Sequence, residues 1–561
     1  MRDRSLTLPE ALFVAVVTVL ALVITVAYLW MRIARLSPFA VLGFTIATGV
    51  VFAIRASRQA RRDTAALVAA IAVFGLVFGW LLKVAWPSLL PPGGGPDLAH
   101  HLVLIDFLER HWQLPDATLV PAMGEMAHYT PGVHLVAALL GAWTRTDGFH
   151  TIYAVVALTV ALKAGLVFLI ALRVVGVEPR VPLALTAVLL MLLPQEYFVG
   201  SFVHDSFFAQ AAAEMFAVAM WWSLVMWDGR PELTPLALFA SAGIGAFLTW
   251  PLWIGPPIVA LAAAALTHEE LPPRERVRAI TFAVAPIAGI ALVHTIGRVG
   301  WLAIAGSPGA VLHPAVITFG LPFLLLGGAG FLLALRQRQA RTTLLVTLAI
   351  VAQAATLYAL ARARGVTSPY LPLKMIYLLI YPGAVLGTIP VASLWRLVLA
   401  KLPRGISIPR YTHGLAVSAL LLTIVLAYRK PLFLVPRRAP VVSEDLYDAG
   451  RWARANVESA CVDYLVPNGD TAYWLHYAVL GNPRSSVRSA NPDTFVPARA
   501  IARWIEPGGL PYAVVDLTTL PNEILLDVDV LEAFGAAAVV KRRGLWDCPD
   551  AERLAGRVSP P

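Results

Sequence analysis

The chain has 561 residues, 58% of them hydrophobic and 14% charged, with a mean hydropathy of +0.72 and a formal net charge of +10. A soluble domain carries about 25% charged residues, so the composition excludes an ordinary soluble enzyme and points to a polytopic membrane protein. The positive balance does not imply nucleic acid as a partner, because the arginines are spread through short connections, as topology signals are.

In chain order, MRDRSLTLPE leads into a long apolar run without a small-residue cleavage site, which reads as a first span rather than a leader. Runs long enough to cross a bilayer, or nearly so, are predicted at about 11–31, 38–54, 64–86, 150–172, 182–197, 206–227, 235–250, 252–267, 280–297, 314–335, 342–361, 375–395 and 412–428. That makes about thirteen spans, of which 182–197, 235–250 and 252–267 are short for the task. Alternate connections hold most of the basic residues, among them Arg2, Arg4, Arg55, Arg58, Arg61, Arg62, Arg173, Arg180, Arg230, Arg274, Arg276, Arg278, Arg336, Arg338 and Arg341. The positive-inside rule sets these, and the N-terminus, in the cytoplasm. The other connections and the tail then face outward. The assignment requires that Val133–Trp143 does not cross, and at this length it reads as a helix on the outer interface.

Three parts follow: two additional N-terminal spans (1–63), a transmembrane core (64–428) with a large outward loop at 87–149, and an extracytoplasmic domain (429–561). The tail alternates helix and short apolar strand. VVSEDLYDAGRWARANVESACVDYLV reads as helix then strand, PYAVVDLTTL as a strand, and VLEAFGAAAVVKRRG as helix then strand. The predicted fold is therefore an α-helical polytopic membrane protein with a small C-terminal α/β domain. Cys461 and Cys548, the only cysteines, both lie in the tail, either bonded to each other or as two reduced thiols.

Ionisable groups crowd the stretch Pro91–His134, and polar groups near lipid are costly to keep without a use. In a helix starting near Pro96, Asp97 shares a face with His100 and His101. Asp97 is either the cap of that helix or a general base in a partly desolvated cleft. Tyr129 and His134 close the same loop. The Pro131–Gly132 break there counts against a helical pair of histidine metal ligands. In the next outward loop Asp205, preceded by His204, either caps the following helix or is a second carboxylate facing Asp97, able to hold a divalent cation such as Mg or Mn. Lys374 is the leading candidate for a lipid phosphate, with Arg298 and Arg364 as competitors. His100, His101, Tyr129, His134 and His204 are the further candidate substrate contacts. Lys163, Glu214 and His294 lie within or near apolar runs and read as scattered, satisfied structural groups.

The order of these features resembles the GT-C superfamily of integral-membrane glycosyltransferases. That superfamily includes protein mannosyltransferases, aminoarabinose transferases acting on lipid A and oligosaccharyltransferase catalytic subunits. The likeness rests on an acid early in the first large outward loop (Asp97), the segment Tyr129-Thr130-Pro131 that closes it, and a short surface helix. It rests further on a second outward loop with an acid (His204-Asp205) and a terminal extracytoplasmic domain. It implies a polyprenyl-phosphate-linked sugar as donor and transfer on the outer face of the cytoplasmic membrane. Asp97 would be the base and Asp205 the second acid, with a glycan, lipid or protein as acceptor. The chain departs from the pattern where two histidines, rather than another acid, follow Asp97, and where two spans precede the core. The rival reading is a transporter or lipid flippase, which predicts inverted repeats and coupling acids at mid-membrane. A scaffold whose tail binds a partner is a third.

Overall fold

A computed structural model describes residues 6–93, 96–176, 178–296, 298, 311–366, 369–401, 440–482, 509–519 and 527–544, with isolated positions at 419, 422–423, 501 and 504–505. The predicted span at 412–428 and Cys548 fall largely or wholly outside the described residues.

Among the described residues helices form over the predicted spans and also over two stretches of the large loop, Pro96–His111 and Gly132–Thr144. These are α1 (Leu8–Ile33), α2 (Pro38–Gln59), α3 (Thr64–Ala85), α4 (Pro96–His111), α5 (Gly132–Thr144), α6 (Gly148–Val174) and α7 (Arg180–Met191). Then come α8 (Phe208–Gly229), α9 (Leu233–Thr249), α10 (Gly255–Leu266), α11 (Pro273–Thr295), α12 (Leu321–Ala334), α13 (Arg341–Ala363) and α14 (Tyr370–Lys401). Eight of the described helices are long and apolar enough to cross a membrane; α5, α9, α10 and α12 are shorter apolar helices. The run predicted as one span at 182–197 is broken. α7 stops at Met191, and the chain resumes at Glu196–Val203 after a bend of 71°. Pro194 lies in the break, where it cannot supply the N–H that a continuous helix needs.

The helix ends sort by side. At one end Glu10 pairs with Arg173, and the Leu8 N–H donates to the Arg61 carbonyl. Arg341 pairs there with Asp228 at 2.6 Å. These are all connections assigned to the cytoplasm by charge, and they meet one another. At the other end lies the short apolar helix α5. His134 at its start meets His101, and the Trp143 indole N–H near its end donates to the Pro38 carbonyl at 2.8 Å. With 13 residues, α5 is about 20 Å long, short of the roughly 30 Å hydrocarbon core.

The tail begins with α15 (Glu444–Asn456), capped by Ser443, followed by β1 (Val462–Leu465), α16 (Gly469–Trp474) and β2 (Tyr512–Asp516). The stretch predicted as helix then strand is instead a hairpin of β3 (Val528–Phe534) and β4 (Ala537–Arg542). Its two-residue turn opens with Gly535 at φ +55°, where a left-handed conformation suits glycine. The Ala536 N–H at the tip donates to Asp445 of α15 at 2.7 Å. The sheet runs β1-β2-β4-β3, with β1 and β2 parallel and the other pairs antiparallel.

The tail sits on the same side as the large loop. Arg454 donates to Asp106 of α4 at 3.0 Å, and the Tyr447 hydroxyl donates to Asp147 at 2.7 Å. Glu444 lies 3.1 Å from His150. One apolar core runs through the helix bundle and into this domain.

Candidate active site

Asp97 is the second residue of α4, half-buried at the start of the helix that carries His100 and His101. No hydrogen bond or ion pair engages its carboxylate among the described residues. Gly93, four residues earlier, lies against the second loop. A Cβ on Gly93 would lie 2.2 Å from Ser206 Oγ and 3.2 Å from the Val203 carbonyl oxygen, so only glycine lets the two loops pack this closely. Asp205 lies in that second loop. It is exposed along one edge while its carboxyl lines a pocket. Loss of solvent there, with repulsion from Glu196 and Asp97, holds the carboxyl above its ordinary range against the pull of His204 and Lys374.

Lys374 lies one turn into α14 and is only 2% exposed. Its Nζ lies 3.7 Å from the ring centre of Phe207, 4.5 Å from that of Tyr370 and 5.3 Å from that of Trp250. The cage follows from local geometry. Tyr370 precedes Lys374 by four residues on one helix face, Phe207 directly precedes α8, and Trp250 directly follows α9. Among the described residues Lys374 has no hydrogen bond or ion pair. Asp97 and Asp205 nevertheless act on its charge across space. The three residues therefore share one electrostatic neighbourhood at the end of the bundle that carries the large loop.

Behind Asp97, His101 Nδ1 lies 2.8 Å from His134 Nε2, and Tyr129 packs on both rings and on Trp250. Burial pushes His134 down to about 3 and His101 well below its ordinary value, with His134, His100 and Lys374 adding repulsion at His101. Two neutral imidazoles thus share one proton between facing nitrogens. The loop closes on α9, where Thr130 donates to the Thr249 carbonyl. A Cβ on Gly132 would lie 2.4 Å from Thr249 Oγ1.

The other candidates are engaged elsewhere. His100 contacts the Tyr473 hydroxyl of α16 at 3.0 Å, and its Nδ1 faces Glu125 at 3.6 Å. His204 pairs with Glu196 at 3.2 Å, beside Asp205. Arg298 is buried and donates to the carbonyls of Ala127 and Pro115, bracing the large loop from behind. Arg364 is exposed just after α13. Among the described residues no group of three or more histidine, cysteine or acidic side chains is placed to hold a metal. The donor set there does not fit a resident metal centre.

Sequence reasoning missed the cage residues Phe207, Trp250 and Tyr370, although Tyr370 is legible as the residue one turn before Lys374. It missed Glu196 and also Tyr473, which lies 373 residues from its partner His100 and leaves no local signal. The reading of Lys163, Glu214 and His294 as scattered needs correction. Lys163 and Glu214 form a fully buried pair at 2.5 Å, and the Tyr381 hydroxyl and Gln210 amide also donate to Glu214. His294 is bonded to the Tyr28 hydroxyl at 3.0 Å. They are engaged with specific partners rather than scattered.

No family model matches the chain, and a search of curated proteins finds no match. Among solved structures the chain is similar to the oligosaccharyltransferase of Archaeoglobus fulgidus in the apo form. The TM-score is 0.45 at 14% identity, over 81% of this chain and 69% of that one. It is likewise similar to the Archaeoglobus fulgidus oligosaccharyltransferase AglB in complex with an inhibitory peptide and a dolichol-phosphate (TM-score 0.43, 14% identity, 80% and 69% covered). A third similar structure is ArnT from Cupriavidus metallidurans in the apo state (TM-score 0.45, 14% identity, 84% and 97% covered). The likeness is one of chain layout, and the chemistry rests on the residues of the site.

Proposed function

We propose that this multi-pass membrane protein is a glycosyltransferase that moves a sugar from a polyprenyl-phosphate donor to an acceptor hydroxyl on the outer face of the cytoplasmic membrane. The observation that carries the reading is a buried ammonium, Lys374, with no counter-ion in contact among the described residues, within electrostatic reach of two carboxylates, Asp97 and Asp205, at the loop-bearing end of the bundle. An anion beside Lys374 would supply the missing partner, and a lipid-linked phosphate arriving from the bilayer has both the charge and the route. On this reading residues 64–428 form the catalytic core, 1–63 add two spans, and 429–561 form the outer domain. The arginine asymmetry supports that orientation. So does Cys461, which is disulfide-bonded, as befits an oxidising compartment.

In the reaction Asp97 takes the proton from the acceptor hydroxyl. The freed oxygen lone pair forms a bond to the anomeric carbon, and the bond from that carbon to the phosphate oxygen breaks. The electron pair leaves with polyprenyl phosphate, whose growing charge Lys374 stabilises. One displacement inverts the anomeric centre. The leaving group is already a stable anion, so the step needs a cation at the phosphate more than an acid. The acceptor can be a glycan, a lipid or a protein.

The test is release of polyprenyl phosphate from labelled donor by the full chain in proteoliposomes supplied with envelope acceptors. Asp97 has no partner among the described residues, so Asp97→Asn leaves the fold intact and lowers turnover by roughly 10²–10⁴-fold. Near-normal turnover in that variant removes Asp97 as the base.

A further inference from the structure

The polyprenyl-phosphate reading leaves the sugar open, and a second feature bears on it. Beside the lysine cage lies a pocket of about 280 Å³ lined by Glu196, His204, Asp205, Phe207, Val311 and Leu312. This lies just below the roughly 300–1,000 Å³ range of pockets for drug-sized ligands, a size suited to one monosaccharide. Phe207 is shared between the two features, as it lines the pocket and also forms one wall of the cage around Lys374 Nζ. The phosphate and sugar positions would therefore be contiguous.

The polar groups among the described lining residues are two carboxylates and one imidazole, with no lysine or arginine among them. Glu196 is pre-positioned. Its carboxylate lies 3.2 Å from His204 Nδ1, and a Cβ on Gly200 would lie 2.5 Å from Glu196 Oε2, so the backbone packs directly against the carboxylate. With both carboxylates ionised the wall is negative whichever state His204 takes. Such a wall accepts hydrogen bonds from hydroxyl or ammonium groups. It repels a carboxylate or a second phosphate. Lys374 sits across Phe207 in the adjoining aromatic cage rather than among the pocket's lining residues.

We infer that this pocket is the subsite for the donor's sugar, and that it takes a neutral or amino monosaccharide and rejects a uronic acid. The inference rests on the polyprenyl-phosphate reading and adds a substrate class to it. Glu196 acts here as a specificity-determining residue, Asp205 shares the wall, and the ring of Phe207 offers an apolar face to the sugar.

The test uses four lipids with the full chain in proteoliposomes: bare polyprenyl phosphate, and the same lipid carrying glucose, glucosamine or glucuronic acid. Binding is measured by competition against a labelled donor. The glucose and glucosamine lipids are expected to bind more tightly than the bare lipid, and the glucuronic acid lipid at least tenfold more weakly than the glucose lipid. Glu196→Gln keeps the side-chain shape and narrows that ratio by fivefold or more, with affinity for the bare lipid unchanged. Asp205→Asn, at an exposed position, narrows it as well and guards against misfolding of the first variant. Equal binding of the glucose and glucuronic acid lipids, or an unchanged ratio in both variants, overturns the inference while the glycosyl-transfer reading stands. Failure of all four lipids to bind overturns that reading and the inference with it.

Discussion

Lys374 sets the problem at the scale of single residues. Burying an ammonium costs several kcal/mol even after the protein relaxes, and a cation–π contact returns about 0.5–2 kcal/mol. The three rings around it therefore offset part of the cost and leave a site that gains from an anion. Lys374→Met should raise the donor KM at least tenfold while thermal stability in detergent holds or rises; a fall in stability with KM unchanged would make Lys374 a structural group. The histidine pair gives a second prediction. His134 is held near 3 and His101 is also depressed, so both are neutral when folded, whereas in the unfolded chain they charge near 6.5. The stability they contribute is present above about pH 6.5 and is lost as pH falls toward the folded values. A melting series from pH 7.5 to 4.5 should slope downward, and His134→Gln should flatten it; parallel slopes would contradict the assignment. The sequence singles out Asp97, Asp205 and Lys374 as candidates because ionisable groups stand out in a lipid-facing composition. It does not single out the cage, since aromatic residues near span ends read equally well as interfacial belts.

At the scale of elements, the site depends on how closely loops from different helices can approach. Gly93 against Ser206 and Gly132 against Thr249 are two positions beside the site where a side chain would press on the facing segment. Gly93→Ala should lower activity by tenfold or more through separation of Asp97 from Asp205, with a stability cost of about 1–3 kcal/mol from overpacking. Activity and thermal midpoint measured side by side decide this, and wild-type turnover would show that the contact is not needed. Apolar runs located the helices well, because length and hydropathy fix a span almost by themselves. They did not reveal the break before Glu196, which depends on Pro194 and its packing. They also misled at Val528–Phe534, where a short segment fits both helix and strand periods and tertiary pairing with β4 decides.

For the whole molecule, the question is why the tail sits over the loop. Asp106 on α4 receives Arg454 and Arg451 from the tail as well as Arg110 from its own helix. Tyr473 reaches His100, one turn from Asp97. The C-terminal domain thus grips the helix that carries the proposed base. Asp106→Asn should loosen that grip by roughly 1–3 kcal/mol and expose the tail to limited proteolysis before the bundle unfolds; unchanged cleavage would mean that the apolar interface alone holds the domain. None of these cross-domain contacts has a sequence signal, because each joins residues hundreds of positions apart, and only folding reveals the match. The alternation of basic connections, by contrast, carried real information: ends assigned to one side, such as Glu10 with Arg173 and Asp228 with Arg341, are found together. The central claim is that one wet cleft at the outer leaflet holds a lipid phosphate and a sugar between Lys374 and Asp97. A cryo-electron microscopy map of the full chain with a non-transferable polyprenyl-phosphate sugar tests it most directly. The account predicts the phosphate in hydrogen-bond contact with Lys374 Nζ and the anomeric carbon facing Asp97. Donor density at mid-membrane, away from both residues, would contradict it.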